Sequence, residues 1–198
     1  MHPQSVSDTE LVDQFLRGNQ TSFEILLKRH KQKIFSHILF MVRDRIVAED
    51  IFQDTFLKAI TTLRLGKYQD EGKFSAWVAR IAHNLVIDYF RAEKHMPKVR
   101  DREEFSIFER MPSPEENSHG RIVSEEHKAI IREMINQLPV DQREVIVLRM
   151  YGDLSFKEIA DITSVSINTA LGRMRYAIIN LRKMQKENNI NLFQDAMQ

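Results

Sequence analysis

The chain has 198 residues, of which 42% are hydrophobic and 29% are charged, so we expect a globular protein of one or two domains. The 29 basic and 28 acidic residues leave a net charge of +1, which excludes a polybasic tail protein and an acidic disordered chain. The lack of cysteine excludes disulfides, zinc fingers, thiol catalysis and iron–sulfur clusters. No secretory signal or membrane-spanning apolar run is visible, so we expect a cytoplasmic protein without membrane insertion.

The N-terminal part of the chain has the apolar periodicity of four helices. Ser7 and Glu10 have the spacing of a capping box before the first helix, and Gly18 ends that helix. The second and third helices carry apolar residues at intervals of three and four. A fourth helix begins near Phe74 and continues the same pattern.

The C-terminal part of the chain predicts four shorter helices. The first ends before Pro139, and the second begins with Asp141 and Glu144 and is closed by Gly152. Two more helices follow after position 155. No run of alternating apolar and polar residues is long enough to require a sheet, so we predict an all-α protein.

Charge and composition change between positions 96 and 127. This segment holds three of the five prolines and eight acidic against five basic residues, whereas the segments on either side are net positive. Such a break is typical of a linker between domains. We therefore predict an N-terminal domain (1–95), a linker (96–127), a C-terminal domain (128–184) and a tail (185–198).

A short helix, a tight turn and a longer helix between residues 155 and 183 have the pattern of a helix-turn-helix. Ser155 and Glu158 form a second capping box before the first of these helices, and Ser166 caps the second. In such motifs the start of the second helix enters the major groove of DNA. The candidate DNA contacts there are Ser166, Asn168, Thr169, Arg173 and Tyr176.

Residues 163–186 include five basic side chains and no acidic ones, which favours DNA binding over a simple helical hairpin with a solvated basic face. Ala160 is small enough for a close helix crossing, and we expect Val165 and Leu171 to fix the crossing angle. Gly172 has two open interpretations. It allows either a close approach of the backbone to DNA or a tight helix crossing.

The helix from Phe74 to His95 combines a core stripe with aromatic, basic and amide side chains. Arg80, Asn84 and Arg91 share a face by intervals of four and seven. Aromatic and basic groups together suit single-stranded nucleic acid, through stacking and phosphate contacts. The alternative is an ordinary amphipathic helix with a polar face.

The segment 48–58 carries Glu49, Asp50 and Asp54 outside its core stripe. Carboxylates at this spacing suggest a metal site, but no histidine lies in register with them. We therefore expect a solvated acidic face or a protein-docking face, with no metal, no cofactor and no catalytic residue.

Three segments of the sequence, by their order and by the distances between them, resemble the extracytoplasmic-function (ECF) group of bacterial RNA polymerase sigma factors. AEDIFQDTFLKAI is similar to the polymerase-docking segment of that family, and FSAWVARIAHNLVIDYFR to its promoter-melting helix. LPVDQREVIVLRMYGDLSFKEIADITSVSINTALGRMRYAIINLRK is similar to its C-terminal helix-turn-helix domain. The resemblance covers about Thr9 to Lys183 and implies two helical domains joined by a flexible linker.

The resemblance also implies a role for each group of residues. The β′ clamp coiled coil of the polymerase would face Asp50, Gln53, Asp54, Leu57 and Lys58. The minus-ten element, melted on its non-template strand, would face Lys73, Trp77, Arg80, His83, Asn84 and Arg91. The minus-thirty-five duplex would face Ser166, Asn168, Thr169, Gly172, Arg173, Arg175 and Tyr176. Trp77 has two open interpretations, since it either stacks at the melting point or completes the core.

The partners implied are core RNA polymerase, through the β′ clamp coiled coil and the β flap, promoter DNA, and an anti-sigma factor. The acidic linker would either thread into the polymerase or serve as a solvated tether. The run SINTALGRMRY departs from the Val-Lys-Ser-Arg-like run of many members, so their base preferences do not transfer. The tail, with Leu192 and Phe193, is either disordered or docked on a partner.

Two other classes of protein remain as alternatives. A stand-alone helix-turn-helix regulator would bind duplex DNA without polymerase, usually as a symmetric dimer. An enzyme would use Asp50, Asp54 and a nearby histidine, but the chain has no second convergent group and no glycine-rich phosphate loop. Neither alternative explains the segment AEDIFQDTFLKAI, which resembles a polymerase-docking segment.

Overall fold

The computed structural model describes residues 6–69, 72–95 and 118–188, and within them the side chains of 94–95 and 118–126 are not described. These parts of the chain contain eight helices and no strand, which confirms the all-α prediction. The helices are α1 (Asp8–Leu16), α2 (Gln20–Val42), α3 (Arg45–Arg64), α4 (Phe74–His95), α5 (Ser118–Asn136), α6 (Val140–Met150), α7 (Phe156–Thr163) and α8 (Ile167–Glu187). None of these helices is long and apolar enough to cross a membrane.

Both predicted capping boxes are present. The Ser7 hydroxyl accepts the backbone N–H of Glu10, and the Glu10 carboxylate accepts the backbone N–H of Ser7. Ser155 and Glu158 make the same reciprocal pair at the start of α7. Each pair satisfies two N–H groups that a helix N-terminus otherwise leaves without partners. Gly18 follows α1 with φ of 101°, a conformation that favours glycine.

The start of α6 differs from the prediction. Pro139 precedes the helix, and no side chain caps it. Asp141 lies in the first turn, where its charge suits the helix dipole. Glu144 does not cap the helix, because its side chain is buried against histidines of the N-terminal helices.

Helix α5 begins at Ser118, inside the segment 96–127 that we predicted as a linker. Residues 96–117 of that segment lie outside the described residues. So do residues 189–198 of the tail, including Leu192 and Phe193.

Helices α1–α4 pack into one bundle around a common apolar core. Phe15, Phe23 and Phe56 form a chain of ring contacts between α1, α2 and α3. Phe74 and Val78 of α4 are fully buried against them. The apolar stripes expected from the sequence therefore all face this core.

The helix-turn-helix is formed by α7 and α8. Ser164 adopts the left-handed conformation at the turn, and Ser166 caps α8 by accepting the N–H of Thr169. Ala160 is buried at the crossing, and Val165 packs against the core, as predicted.

The prediction for Leu171 is wrong, since its side chain is 43% exposed. Ala170, which is fully buried, makes the contact instead. Adjacent residues on a helix point about 100° apart, so only one of the two can face α7. A Cβ built on Gly172 would meet no atom within 4 Å, so a tight helix crossing does not explain this glycine.

The N-terminal and C-terminal helices pack against each other, mainly through α2 with α6 and α4 with α7. Phe40 of α2 is buried in the apolar cluster of the C-terminal domain, with its ring centroid 5.0 Å from that of Tyr151. Arg43 donates to the Asn136 carbonyl across the same boundary. The two domains are therefore docked in this structure.

Candidate polymerase and nucleic-acid interfaces

The outer face of α3 carries the side chains assigned to polymerase docking. All five are exposed, and they follow helical spacing along one face: Asp50, Gln53, Asp54, Leu57 and Lys58. Leu57 is the apolar member, with 62% of its surface exposed. Phe56 on the opposite face is buried in the core. The face therefore combines charged groups with one unpartnered leucine, which suits a protein partner.

The exposed face of α4 places Arg80, Asn84 and Arg91 along the helix, as the sequence predicted. Arg91 forms an ion pair with Asp88 at 3.4 Å, and both side chains are largely exposed. Lys73 is exposed just before the start of the helix. This row of guanidinium, ammonium and amide donors can contact phosphates or unpaired bases.

Trp77 lies half-buried at the edge of the N-terminal core. Its ring centroid is 4.4 Å from that of Tyr68 and 5.7 Å from that of Phe74. It therefore completes an aromatic cluster while part of its indole faces solvent. This position is compatible with both interpretations of Trp77.

His83 differs from the other candidates on α4, because the C-terminal domain covers it. Its Nδ1 is 2.6 Å from Oε1 of Glu144 on α6, which is hydrogen-bond distance. Contact between His83 and DNA therefore requires the domains to separate from this arrangement.

Two neighbours of His83, namely His37 and Glu144, were not predicted from the sequence to lie at a functional site. His37 of α2 stacks parallel to His83, with ring centroids 6.5 Å apart, and its Nε2 is 3.8 Å from Oε1 of Glu144. Burial alone would raise the pKa of the Glu144 carboxyl, but His37 and His83 outweigh it and lower this pKa to about 2. Because the three residues are far apart in sequence, no spacing pattern reveals them.

The start of α8 exposes most of the residues assigned to the minus-thirty-five element. These are Ser166, Asn168, Thr169, Arg175 and Tyr176. Gly172 lies among them and lines a groove of about 440 Å³ between α6 and α8. Arg173 is less exposed, and its guanidinium pairs with Asp141 at 2.7 Å.

Asp50 and Asp54 do not belong to any cluster of possible metal ligands that the described part of the chain brings together. Within the described residues, the one cluster with suitable ligand spacing is formed by His37, His83 and Glu144. The α3 carboxylates remain part of the exposed docking face.

Comparison with known proteins identifies the family to which the chain belongs. Residues 26–96 match the model of sigma-70 region 2, and residues 128–171 match that of sigma-70 region 4. The first match runs from within α2 through α4, and the second runs from within α5 to the first turn of α8. Together they define a sigma factor of the sigma-70 class.

Curated relatives narrow the class further. The chain is 30% identical to the ECF RNA polymerase sigma-E factor of Escherichia coli over 175 residues, which is 86% of this chain and 90% of the relative. It is 29% identical to the ECF RNA polymerase sigma factor SigW of Bacillus subtilis over 180 residues, covering 89% and 95%. The protein belongs to the ECF group of RNA polymerase sigma factors.

Two solved structures share the fold. One is CnrH in complex with the cytosolic domain of CnrY, with 24% identity, a TM-score of 0.64, and coverage of 92% of this chain and 99% of that one. The other is the sigma factor RpoE in complex with the anti-sigma factor NepR from Bartonella quintana, with 19% identity and a TM-score of 0.59. It covers 83% of this chain and 96% of that one.

Proposed function

We propose that this sigma factor binds core RNA polymerase through the outer face of α3, reads the minus-ten element with α4, and reads the minus-thirty-five element with α8. It acts as a promoter-specificity subunit and not as an enzyme. The observation that carries the proposal is that each assigned set lies mainly on one solvent-facing helix surface, and all are exposed except His83, Arg173, Trp77 and Gly172.

The α3 face docks on the β′ clamp coiled coil. Its carboxylates and Lys58 select the orientation of the partner, and Leu57 supplies apolar area that is buried on binding. The C-terminal domain contacts the β flap, which places α8 at the required distance from α4. The chain between the two domains limits that distance, so promoters are selected by the spacing of two elements.

The α4 face captures the melted non-template strand. Arg80 and Arg91 contact phosphates, and Asn84 hydrogen-bonds an unpaired base. Capture of unstacked bases offsets the few kcal/mol that unpairing costs, roughly as in enzymes that extrude a base. Trp77 contributes either stacking at the edge of the opened strand or rigidity beneath it.

The α8 face holds the minus-thirty-five element as duplex. Its N-terminus points backbone N–H groups and the Ser166 cap toward phosphate, which the positive end of a helix dipole favours. Arg173 and Arg175 contact phosphates or guanine edges, and Asn168 suits adenine.

An anti-sigma factor is a further partner that we propose for the free protein. The neighbours CnrH and RpoE are each described in complex with a partner, the CnrY cytosolic domain and the anti-sigma factor NepR. A regulator of that kind would cover the α3 face, since the same exposed leucine that polymerase needs would be available to it.

The test uses holoenzyme assembled with the wild-type protein or with Arg80→Ala/Asn84→Ala. Permanganate reactivity of thymines at the upstream edge of the minus-ten element reports melting. We expect the double variant to bind core polymerase and promoter duplex normally but to lose most of that reactivity. Normal melting by the folded variant would contradict the assignment of α4.

The alternative function, a stand-alone regulator, is not favoured by the family matches. It predicts tight, sequence-specific duplex binding by the isolated protein as a dimer. A gel-shift titration without polymerase decides between the two, because a sigma factor that recognises promoters as part of the holoenzyme should not bind duplex tightly and specifically alone.

A further inference from the structure

His37 of α2, His83 of α4 and Glu144 of α6 meet where the two domains dock. Two imidazole nitrogens and a carboxylate oxygen lie within 4.8 Å of one another. The side chains of His37, His83 and Glu144 are 1%, 12% and 8% exposed. The proposed contact with DNA gives a role to His83 only. His37 and Glu144 have no role in the proposed binding of polymerase or of promoter DNA.

The His37 imidazole is a buried polar group without a hydrogen-bond partner among the described residues. This holds for both of its ring nitrogens. Its Nε2 is 3.8 Å from Oε1 of Glu144, which is too long for a hydrogen bond. Buried polar groups are normally paired, so a nitrogen that points at a carboxylate without reaching it needs a third group.

We propose that His37 Nε2, His83 Nδ1 and the Glu144 carboxylate bind a divalent first-row transition cation of the zinc type. Two imidazoles and one carboxylate form a donor set that zinc accepts, with a fourth position left for water. Magnesium and calcium prefer oxygen ligands alone, so two nitrogen donors disfavour them.

The ligand atoms must shift to form a zinc site. Zinc holds such ligands at about 2.0–2.2 Å, so ligand atoms in a tetrahedral shell lie roughly 3.3 Å apart. The Glu144 oxygen is 2.6 Å from His83 and 3.8 Å from His37, so each of these distances changes by less than about 1 Å. The three ligand atoms lie within 4.8 Å of one another, so the two imidazole nitrogens approach by at most about 1.5 Å. The metal then takes the place of the hydrogen bond between His83 and Glu144.

A metal here bridges the domains. His37 and His83 belong to the N-terminal bundle, and Glu144 to the C-terminal domain. Because the complete ligand set exists only when the domains are docked, the metal stabilises docking by linkage. This consequence does not depend on which DNA or polymerase surface the protein uses.

The first experiment titrates chelator-treated, dialysed full-length protein with Zn²⁺ in the absence of polymerase and DNA. Isothermal titration calorimetry measures stoichiometry and affinity, and Co²⁺ replaces Zn²⁺ for visible absorption. We expect one Zn²⁺ per chain and a d–d spectrum of a site with nitrogen and oxygen ligands. The absence of stoichiometric binding overturns the proposal, and it does so without bearing on the sigma-factor function.

Variants then locate the site. His37→Gln, His83→Gln and Glu144→Gln each remove one ligand, and we expect each to weaken Zn²⁺ binding at least about tenfold. His30→Gln is the matched control, because His30 is also buried but lies outside the cluster. Equal affinity in the cluster variants and the control overturns the assignment.

A measurement on the wild-type protein avoids any dependence on variant folding. In ¹⁵N-histidine spectra, Zn²⁺ should shift Nε2 of His37 and Nδ1 of His83, and leave the other five of the seven histidines unchanged. Shifts confined to other histidines overturn the proposal.

The bridging claim has its own test, which the lack of cysteine makes simple. Dyes on E24C and K157C, at exposed positions of the two domains, report domain separation by energy transfer. Zn²⁺ should increase the docked fraction in the wild-type background and leave it unchanged with Glu144→Gln. The same response in both backgrounds overturns the bridge.

Discussion

Arg173 has a partner within the protein and a second, proposed partner on DNA. In the free protein its guanidinium pairs with Asp141 at 2.7 Å, near the groove between α6 and α8. The Asp141 side chain is 62% exposed, so this ion pair contributes little stability and can exchange for phosphate. The ion pair therefore orients the Arg173 guanidinium and leaves it available for the proposed contact with DNA.

Replacement of Arg173 tests this assignment. In Arg173→Ala we expect promoter-directed transcription to fall about 5- to 150-fold, since one bidentate base contact accounts for about 1–3 kcal/mol. Binding to core polymerase should stay unchanged in competition assays. Arg182→Ala, exposed further along α8, is the control, and equal loss of both activities in a folded Arg173→Ala protein would argue against the assignment.

His30 gives a pH dependence of stability. Its imidazole is buried with Nε2 2.7 Å from Asp8 Oδ2, and burial lowers the pKa of His30 below 6.5 although Asp8 raises it. The unfolded chain therefore takes up a proton at higher pH than the folded one. The stability due to neutral His30 is present above pH 6.5 and is lost as the pH falls through the folded pKa.

The measurement compares the free energy of unfolding at pH 7.5 and at pH 5.5. We expect wild-type stability to fall on acidification, and we expect a smaller fall in His30→Gln, where this titration is absent. Equal falls in both proteins would show that other groups dominate the pH dependence.

Among the elements, α3 has a buried inner face and an exposed outer face, and we propose the outer face for polymerase docking. The rings of Phe52 and Phe56 contact each other at a tilt on the inner side, with centroids 4.9 Å apart, while Leu57 faces solvent. A change on the outer face should therefore alter binding without altering the fold.

Leu57→Ala and Asp54→Ala test the outer face of α3. We expect each to weaken core polymerase binding by about 1–2 kcal/mol, roughly 5- to 30-fold, with an unchanged melting temperature. Glu24→Ala on α2 is the matched exposed control. Unchanged competition against another sigma factor would place the docking site elsewhere.

The sequence predicted helix boundaries best where hydrogen bonds between residues close in sequence determine them. The capping boxes at Ser7 and Ser155 were predicted because their hydrogen bonds lie within four residues. Leu171 was misassigned because hydrophobicity alone does not show which of two adjacent residues faces a neighbouring helix, and Ala170 has the smaller side chain that the crossing needs. The role of Glu144 was missed because its partners come from other helices.

At the scale of the whole molecule, the docked arrangement depends on α2. Phe40 belongs by sequence to the N-terminal bundle but is buried among Ile135, Leu138 and Val147 of the C-terminal domain. The sequence predicted two helical domains and their order. It contained no signal for their docking, because the contacts join residues about a hundred positions apart.

Phe40→Ala tests this docking. Loss of a buried phenylalanine costs about 3–5 kcal/mol, and here the cost falls largely on the interface between domains. We expect an increase in the radius of gyration measured by X-ray scattering, with helical content retained. Phe35→Ala is the control, since Phe35 packs on Phe52 within the N-terminal bundle, and an unchanged radius for Phe40→Ala would contradict the docked arrangement.

The most direct measurement is reconstitution with core RNA polymerase from a related bacterium, followed by transcription of a fragmented genomic library. We predict discrete new start sites preceded by two motifs at fixed spacing, since two reading helices on linked domains recognise two elements. Absence of polymerase binding, together with tight duplex binding by the protein alone, would contradict this account of the protein.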